Sequence, residues 1–589
     1  MLLLFIDSLL LILLTSSLGI LVVNGLQRLF RLRLQSDLLG IFLTGLIGST
    51  IYFNIISFWW PVNYLSLLPL LALCLLTYRP LKPAYRQLFL SIKDHCKALT
   101  SPSNRLLAGG LLVLLGTFSI LPGINADSVD YHYQSIQWYE KFKVVPGLAN
   151  VHGRYGFNPA AFIIQSAYSF TGLTGQAIFP LNGVLIGLFL FWVLSRILRH
   201  RHSLTGLVYF GLFIMLCRPM LVNISSPSSD PLVLICLYYA LISLFELLVQ
   251  EEIHLSGILL PSLVLLYAPV AKLSAFPVLL VSLYLYFLLP ATEKKVPLLL
   301  KWLPIALVIY LPWFGRNIIL SGYLVYPLFA LDLFHPGWKV PRDILMVDYF
   351  LINYWPKGVS FRRIQDYTHG NLDSPSFREW FLPWLEYSFK NRQTGNVLIL
   401  VAALLSPVAW AIVYFRKTRP KAPVFIFLLI LYACIGIWIK SSPDFRFGIV
   451  FISLSLIFPL LLLAQGKKAE SWKIPWDPLP LSMVVLTCFF LYRGSNEKTN
   501  YPFTLKDCWL FPLKNAQTRV FNNKTDFPYR TMHSGVKLYL SDSTHHCLNA
   551  DLPCMSWKVG EIEMRGTRLE DGFINTKDDI SKINPLKGY

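Results

Sequence analysis

The 589-residue chain carries 52 lysines and arginines against 32 acidic residues, for a formal charge of +20. Yet only 14% of it is charged, 55% is hydrophobic, and its mean hydropathy is +0.53. A soluble protein of this size carries about 25% charged residues, so the composition excludes a soluble globular protein. The positive charge does not signal nucleic acid, because it is dispersed in short clusters between apolar runs.

Those runs, about 16 to 23 residues each, match the length that crosses a ~30 Å hydrocarbon core. About fourteen are legible, beginning near Leu2, Leu38, Pro61, Leu106, Ala177, Gly206, Pro231, Ser256, Ala275, Leu298, Val397, Phe425, Phe447 and Pro478. The Leu2 run is too long for a signal-peptide core and no small-residue cleavage site follows, so it reads as a retained helix. Threaded alternately, the spans put every basic cluster on one side: Arg28 to Arg33, Arg79 to Arg105, Arg196 to Arg201, Lys294 and Lys295, Arg416 to Lys421, and Lys467 to Lys473. That is the positive-inside pattern. It places both termini and residues 123–158, 223–230, 316–395, 441–446 and 494–589 outside.

The first long outer loop opens with Asn125-Ala126-Asp127-Ser128-Val129-Asp130-Tyr131-His132, directly after the run Leu106 to Pro122. Carboxylates and a histidine at a membrane surface cost free energy unless something pairs or uses them. A helix is expected over Asp127 to Lys143, lying near the membrane surface with Ile136, Tyr139 and Phe142 on one face. Val144-Val145-Pro146-Gly147 ends it. Asp127 reads either as the helix N-cap or as a general base. Asp130, one turn on, competes for the second role. His132 reads as a second base, a phosphate contact or an interfacial polar group. Ala160 to Leu173 is apolar but too short to cross, and is expected to be an interfacial or re-entrant helix.

Further along, Arg154 stands between Gly153 and Tyr155-Gly156 and is either a phosphate clamp or a snorkelling anchor. Asp230 closes a Pro/Ser turn, Lys272 sits in a very short outer connection, and Arg316-Asn317 starts the second outer loop. Asp444-Phe445-Arg446 ends the last outer turn. Each of these cations alone is explained as an interface anchor. Together Lys272, Arg316 and Arg446 are expected to converge on a phosphate near Asp127. Trp338, Tyr354, Trp355, Trp380 and Trp384 in the second loop suit sugar rings, or equally the interfacial aromatic belt.

Five of the nine cysteines (Cys74, Cys217, Cys236, Cys434, Cys488) lie in spans as small apolar packing residues, and Cys96 in an inner loop. Cys508, Cys547 and Cys554 lie outside, where disulfides are allowed. Cys547 and Cys554, which bracket a turn with Pro553, are the expected pair; a metal reading of neighbouring His545 and His546 lacks a second ligand pair. Residues 1–493 thus form a membrane module with outer loops 123–176 and 316–395, and 494–589 a small soluble outer domain. There is no Walker-type loop, no H-E-x-x-H and no G-x-S-x-G.

A span followed by an outer loop that opens with Asp and then Tyr131-His132 resembles the GT-C superfamily of integral-membrane glycosyltransferases. Its members include protein O-mannosyltransferases, aminoarabinose transferases and Rgt-like bacterial enzymes. Longer pieces resemble a little-characterised bacterial branch of polytopic membrane proteins. They are Asp127…Tyr131-His132…Trp138…Val145-Pro146-Gly147-Leu148…Asn150…His152…Arg154…Gly156-Phe157-Asn158, Ser225-Ser226-Pro227…Asp230, Arg316-Asn317…Tyr326-Pro327, Pro443-Asp444…Arg446-Phe447-Gly448 and Cys547…Leu552-Pro553-Cys554.

The resemblance implies an all-α, GT-C-like bundle in a bacterial inner membrane with its active site facing the periplasm or exterior. It implies an inverting enzyme that moves a sugar from a polyprenyl-phosphate donor to a glycan, lipid or protein acceptor, with Asp127 as base. Asp230 and Asp332 compete for the second acidic role of such enzymes, so a divalent metal (Mg or Mn) is left open. The alternative is a transporter or flippase, or an O-antigen-ligase-like protein, handling lipid-linked saccharides.

Overall fold

Leucine-rich runs without charge form helices in lipid because every backbone group must be bonded internally. The computed structural model describes residues 2–34, 36–96, 102–120, 125, 127–175, 177–251, 253–289, 295–360, 363, 375–390, 394–416, 420–465, 476–500, 527–541, 547, 550–555 and 561–575. Among these, nine helices are long and apolar enough to cross a membrane, from Leu2–Phe30 and Leu38–Ile56 to Ala422–Ser441 and Phe445–Ala464. Shorter apolar helices at Asn104–Ser119, Leu255–Ala271, Leu273–Leu288, Ile399–Tyr414 and Pro478–Phe489 occupy the remaining expected positions. The chain is a multi-pass, helical membrane protein.

Local chemistry sets the helix ends. Asp37 caps Leu38–Ile56 by accepting from Gly40 N at 2.8 Å, and Ser203 caps Leu204–Leu221. Proline stands in the first turn of Pro180–Arg199 and of Asp230–Gln250, where its missing N–H costs nothing. The first two helices touch backbone to backbone. A side chain on Gly45 would collide with the Thr15 carbonyl, and one on Gly19 with the Ile41 carbonyl. Small residues permit this close crossing in place of a hydrophobic driving force.

Polar contacts gather at the two ends of the bundle. At one end Arg196 forks onto Glu246 (2.8 and 2.9 Å), Tyr209 donates to the same carboxylate, Trp192 donates to Asp37, and Lys421 pairs with Glu251. At the other, Val144 N donates to the Ser57 carbonyl and Gly147 N to the Ile319 carbonyl, while Lys357 donates to the Lys440 carbonyl. The long loops therefore share one end.

The first long loop departs from expectation in two ways. Its helix is a π-helical turn, Ser128–His132, running into Tyr133–Lys141, and it is buried on most sides rather than on one face. Ala160–Ala167 is buried along its whole length, which overturns the interfacial alternative for this segment and leaves the re-entrant one. Ala160–Ala167 packs against Leu38–Ile56, Tyr133–Lys141 and Pro180–Arg199, and Tyr133–Lys141 is covered in part by a β unit. Strands Tyr529–Thr531, Lys537–Leu540 and Cys554–Met555 form a small sheet, antiparallel then parallel, beside a hairpin of Ile562–Met564 and Phe573–Asn575. This β unit is seated on the loop. Phe573 N donates to the Pro146 carbonyl at 2.9 Å, Gln134 Nε2 to the Ala550 carbonyl at 3.2 Å, and the Phe573 ring meets Trp138 edge-on. Gly147, at φ +65°, is where the loop turns beneath it. Cys547 and Cys554 are joined in a disulfide that closes the turn carrying Ala550.

Candidate functional site

Asn125 starts the site. Its Oδ1 accepts from Asp127 N at 3.0 Å and its Nδ2 donates to Asn223 Oδ1 at 2.8 Å. The asparagine takes the position an N-cap would fill and ties the loop to the 222–229 turn. Asp127 is thereby not a cap: its side chain makes no capping bond, and its Oδ2 accepts from Arg446 Nη1 at 2.9 Å.

Arg446 is held by its own helix start. Asp444 caps Phe445–Ala464 through Arg446 N (2.9 Å) and accepts from the Arg446 Nε (3.0 Å) and Nη2 (2.9 Å) with its other oxygen. Trp438 Nε1 donates to the Asp444 carbonyl at 2.7 Å and fixes that turn. A third carboxylate, Asp230 at the start of Asp230–Gln250, lies 4.0 Å from Arg446 Nη1. Its other oxygen pairs with Lys272, whose ammonium stands 4.8 Å from the centre of the Phe447 ring. Lys272 is therefore paired and not a snorkelling anchor. Burial alone would raise the Asp127 carboxyl, but Arg446 beside it, with Arg154 further off, outweighs burial and holds it well below the usual carboxylate range. Asp127 is ionised, and as long as it stays paired it is a weak base.

The rest of the loop supplies a second layer. His132 is buried, its Nδ1 3.1 Å from Ser128 Oγ. Burial pushes it down to about 4, so it is neutral at pH 7. His152 Nδ1 accepts from Arg154 N at 3.1 Å; the proton is then on Nε2, which faces Asp130 at 3.8 Å. The Arg154 guanidinium lies 6.0 Å from the centre of the Tyr131 ring and 5.1 Å from that of Phe157.

Arg316 is not part of this convergence. It is only 1% exposed and belongs to a separate network. Its Nε donates to Asn158 Oδ1 at 3.0 Å, its Nη1 to Ser57 Oγ at 2.6 Å, and it covers the Tyr139 ring at 4.6 Å. Ser57 follows the C-terminus of Leu38–Ile56, so this cation sits where the helix dipole is negative. Asn158, in the left-handed region at φ +48°, also donates to Asn317 Oδ1 and accepts from Trp313 Nε1. Arg316 locks the first loop onto the bundle.

Other expectations resolve by position. Asp332 pairs with Lys339 within the second loop, leaving Asp230 as the carboxylate that meets Arg446. Trp380 and Trp384 are buried, and Trp384 stacks on Phe445 beside Arg446. They pack the site's wall more than they line a groove. Among the span cysteines, Cys488 is exposed and so is not a packing residue. His545, His546 and Cys508 lie outside the described residues. The described carboxylates do not fit a divalent cation: no cluster of three or more His, Cys, Asp or Glu with that geometry occurs among the described residues, and Arg446 and Lys272 already bridge Asp127, Asp230 and Asp444.

Two residues escaped the sequence reading. Asp348 of the second loop accepts from Tyr326 OH at 2.6 Å and lies so close to Gly153 that any side chain there would collide with it. The glycine before Arg154 was the available signal. Glu140, 8% exposed, accepts from Thr171 Oγ1 at 3.1 Å; burial pushes it up to about 7.

A family model described as a domain of unknown function, DUF8201, matches residues 1–453. The chain belongs to this family. No curated protein and no solved structure matches it.

Proposed function

We propose that this DUF8201 chain is a membrane glycosyltransferase that takes a sugar from a polyprenyl-phosphate donor and passes it to a glycan, lipid or protein acceptor. In this reading the nine long and five shorter apolar helices make fourteen crossings of a bacterial inner membrane. The basic loops lie inside, so the Asp127 end faces the periplasm or exterior.

One observation carries the proposal: Asp127, Asp230, Lys272 and Arg446 come from four separate segments and meet at one end of the bundle. The donor phosphate would compete with Asp127 and Asp230 for Arg446 and Lys272. Losing its partner would return Asp127 toward ordinary basicity. Asp127 then accepts the proton of the acceptor hydroxyl as that oxygen bonds to the anomeric carbon. The carbon–oxygen bond to phosphate breaks on the opposite face, and the two cations stabilise the departing lipid phosphate. The anomeric centre is inverted.

The transporter or flippase alternative draws on Asp7, buried inside the first helix with neither carboxyl oxygen bonded among the described residues. Transporters hold their charges near the midplane in broken helices, whereas the main cluster here lies at an end. The two readings separate in proteoliposomes carrying a labelled polyprenyl-phosphate sugar. Transfer predicts label on a second molecule. Label that crosses the bilayer still attached to its lipid would refute the proposal.

A further inference from the structure

The carboxylates around Asp127 are each already paired within the cluster. Arg446 serves Asp127 and Asp444, and Lys272 serves Asp230. Arg154 differs. Its guanidinium is half-buried, it is held by the Tyr131 and Phe157 rings, and its backbone is fixed through His152. Yet it makes no hydrogen bond and no ion pair through its side chain among the described residues. Its charge is balanced only at longer range, by Asp348 first and by Asp127 and Asp130, while Asp348 takes its hydrogen bond from Tyr326 and Asp130 faces His152. An arginine set between aromatic faces, with its N–H donors not bonded to a described residue, is preorganised for a planar oxyanion, which it can bind through two parallel N–H donors.

We infer that Arg154 is the anchor of an oxyanion-binding subsite between the two long loops, with Tyr326 and Asp348 as its far wall, and that the substrate entering there carries a phosphate or carboxylate group. This rests on the proposed transfer reaction only in naming that substrate the acceptor. Lys272 and Arg446 are engaged with Asp127, Asp230 and Asp444, and in the proposed reaction they serve the donor. The occupant at Arg154 is therefore a second anion: a phosphorylated sugar, a uronic acid, or a lipid headgroup phosphate.

Binding separates these sources without requiring transfer. The full-length protein in nanodiscs is titrated with glucose 6-phosphate, glucuronate and a short-chain phosphatidylglycerol, with glucose as the neutral control. At least one anion should bind more tightly than glucose, and the tightest identifies the source. Arg154→Gln should weaken that binding about 10- to 100-fold, the range of a charge-assisted hydrogen-bond pair. Asp348→Asn should tighten it several-fold by removing the nearest competing charge, a gain that a misfolded variant cannot imitate. Asp127→Asn should bind the anion at least as tightly as wild type, because it too removes a negative charge near Arg154, so loss of transfer with binding retained tests the reaction and not the subsite. Equal binding to wild type and Arg154→Gln, no anion preferred over glucose, or no gain in Asp348→Asn overturns the inference.

Discussion

Arg446 and Arg316 look alike in the sequence, each at the loop end of a long apolar helix, and they sit in opposite surroundings. Arg446 is half-exposed and meets three carboxylates. Arg316 is buried, with neutral oxygens, an aromatic face and a helix C-terminus as its company. The first arrangement can exchange its partners for an incoming anion; the second has no partner to release. An arginine that shares charge is suited to chemistry, and one that is solvated by dipoles is suited to architecture.

That contrast is best broken by exchanging consequences. Arg446→Gln leaves Asp127, Asp230 and Asp444 without their shared cation, and transfer should fall by about 1,000-fold while the protein still extracts and elutes as wild type. Measured kcat with a saturating lipid donor checks this. Arg316→Ala should do the reverse. It leaves Asn158 and Ser57 without their donor and should cost about 3 kcal/mol, visible as a lowered unfolding midpoint, with kcat of the surviving folded fraction unchanged.

Glu140 sharpens the comparison on the architectural side. Its carboxyl titrates near 7 in the fold against an ordinary value of 4.5. The cost of burying its charge is absent below 4.5, grows as pH rises to 7, and persists above. Glu140→Gln should therefore stabilise the protein by roughly 3 kcal/mol at pH 8 and not at all at pH 4. His132 works in the opposite sense: buried and neutral, it costs stability as pH falls from 6.5 to about 4. Melting curves of Glu140→Gln across pH 4–8 should expose that acid-side loss, which Glu140 partly offsets in the wild type.

The smallest effect is expected at the rim. Opening the Cys547–Cys554 disulfide by Cys547→Ser frees the turn whose Ala550 carbonyl holds Gln134. About 2 kcal/mol of local stability should be lost, detectable as faster amide exchange in 133–141.

The spans were legible because apolar length alone sets them, and Asp127 because a carboxylate directly after such a run is conspicuous. The partner of each charge was not legible. Asp127 and Arg446 are 319 residues apart and Arg316 and Asn158 are 158 apart, so nothing local distinguishes the arginine that pairs from the one that is boxed in. The depth of the first loop was hidden for the same reason. Its helix has the polar composition of a surface helix, with Gln134, Ser135 and Glu140, yet it is buried: the distant β unit takes the Gln134 amide and Thr171 the Glu140 carboxylate. Asn125 bonds the Asp127 N–H, which decides against the N-cap alternative for Asp127 and leaves its carboxylate to Arg446.

The most direct measurement is the transfer rate of the purified protein with a polyprenyl-phosphate sugar, for wild type, Asp127→Asn and Asp130→Asn side by side. Loss of at least 100-fold in Asp127→Asn, with Asp130→Asn within a few-fold of wild type, is the predicted result. Full activity of Asp127→Asn would contradict the assignment of the base and with it the proposed mechanism.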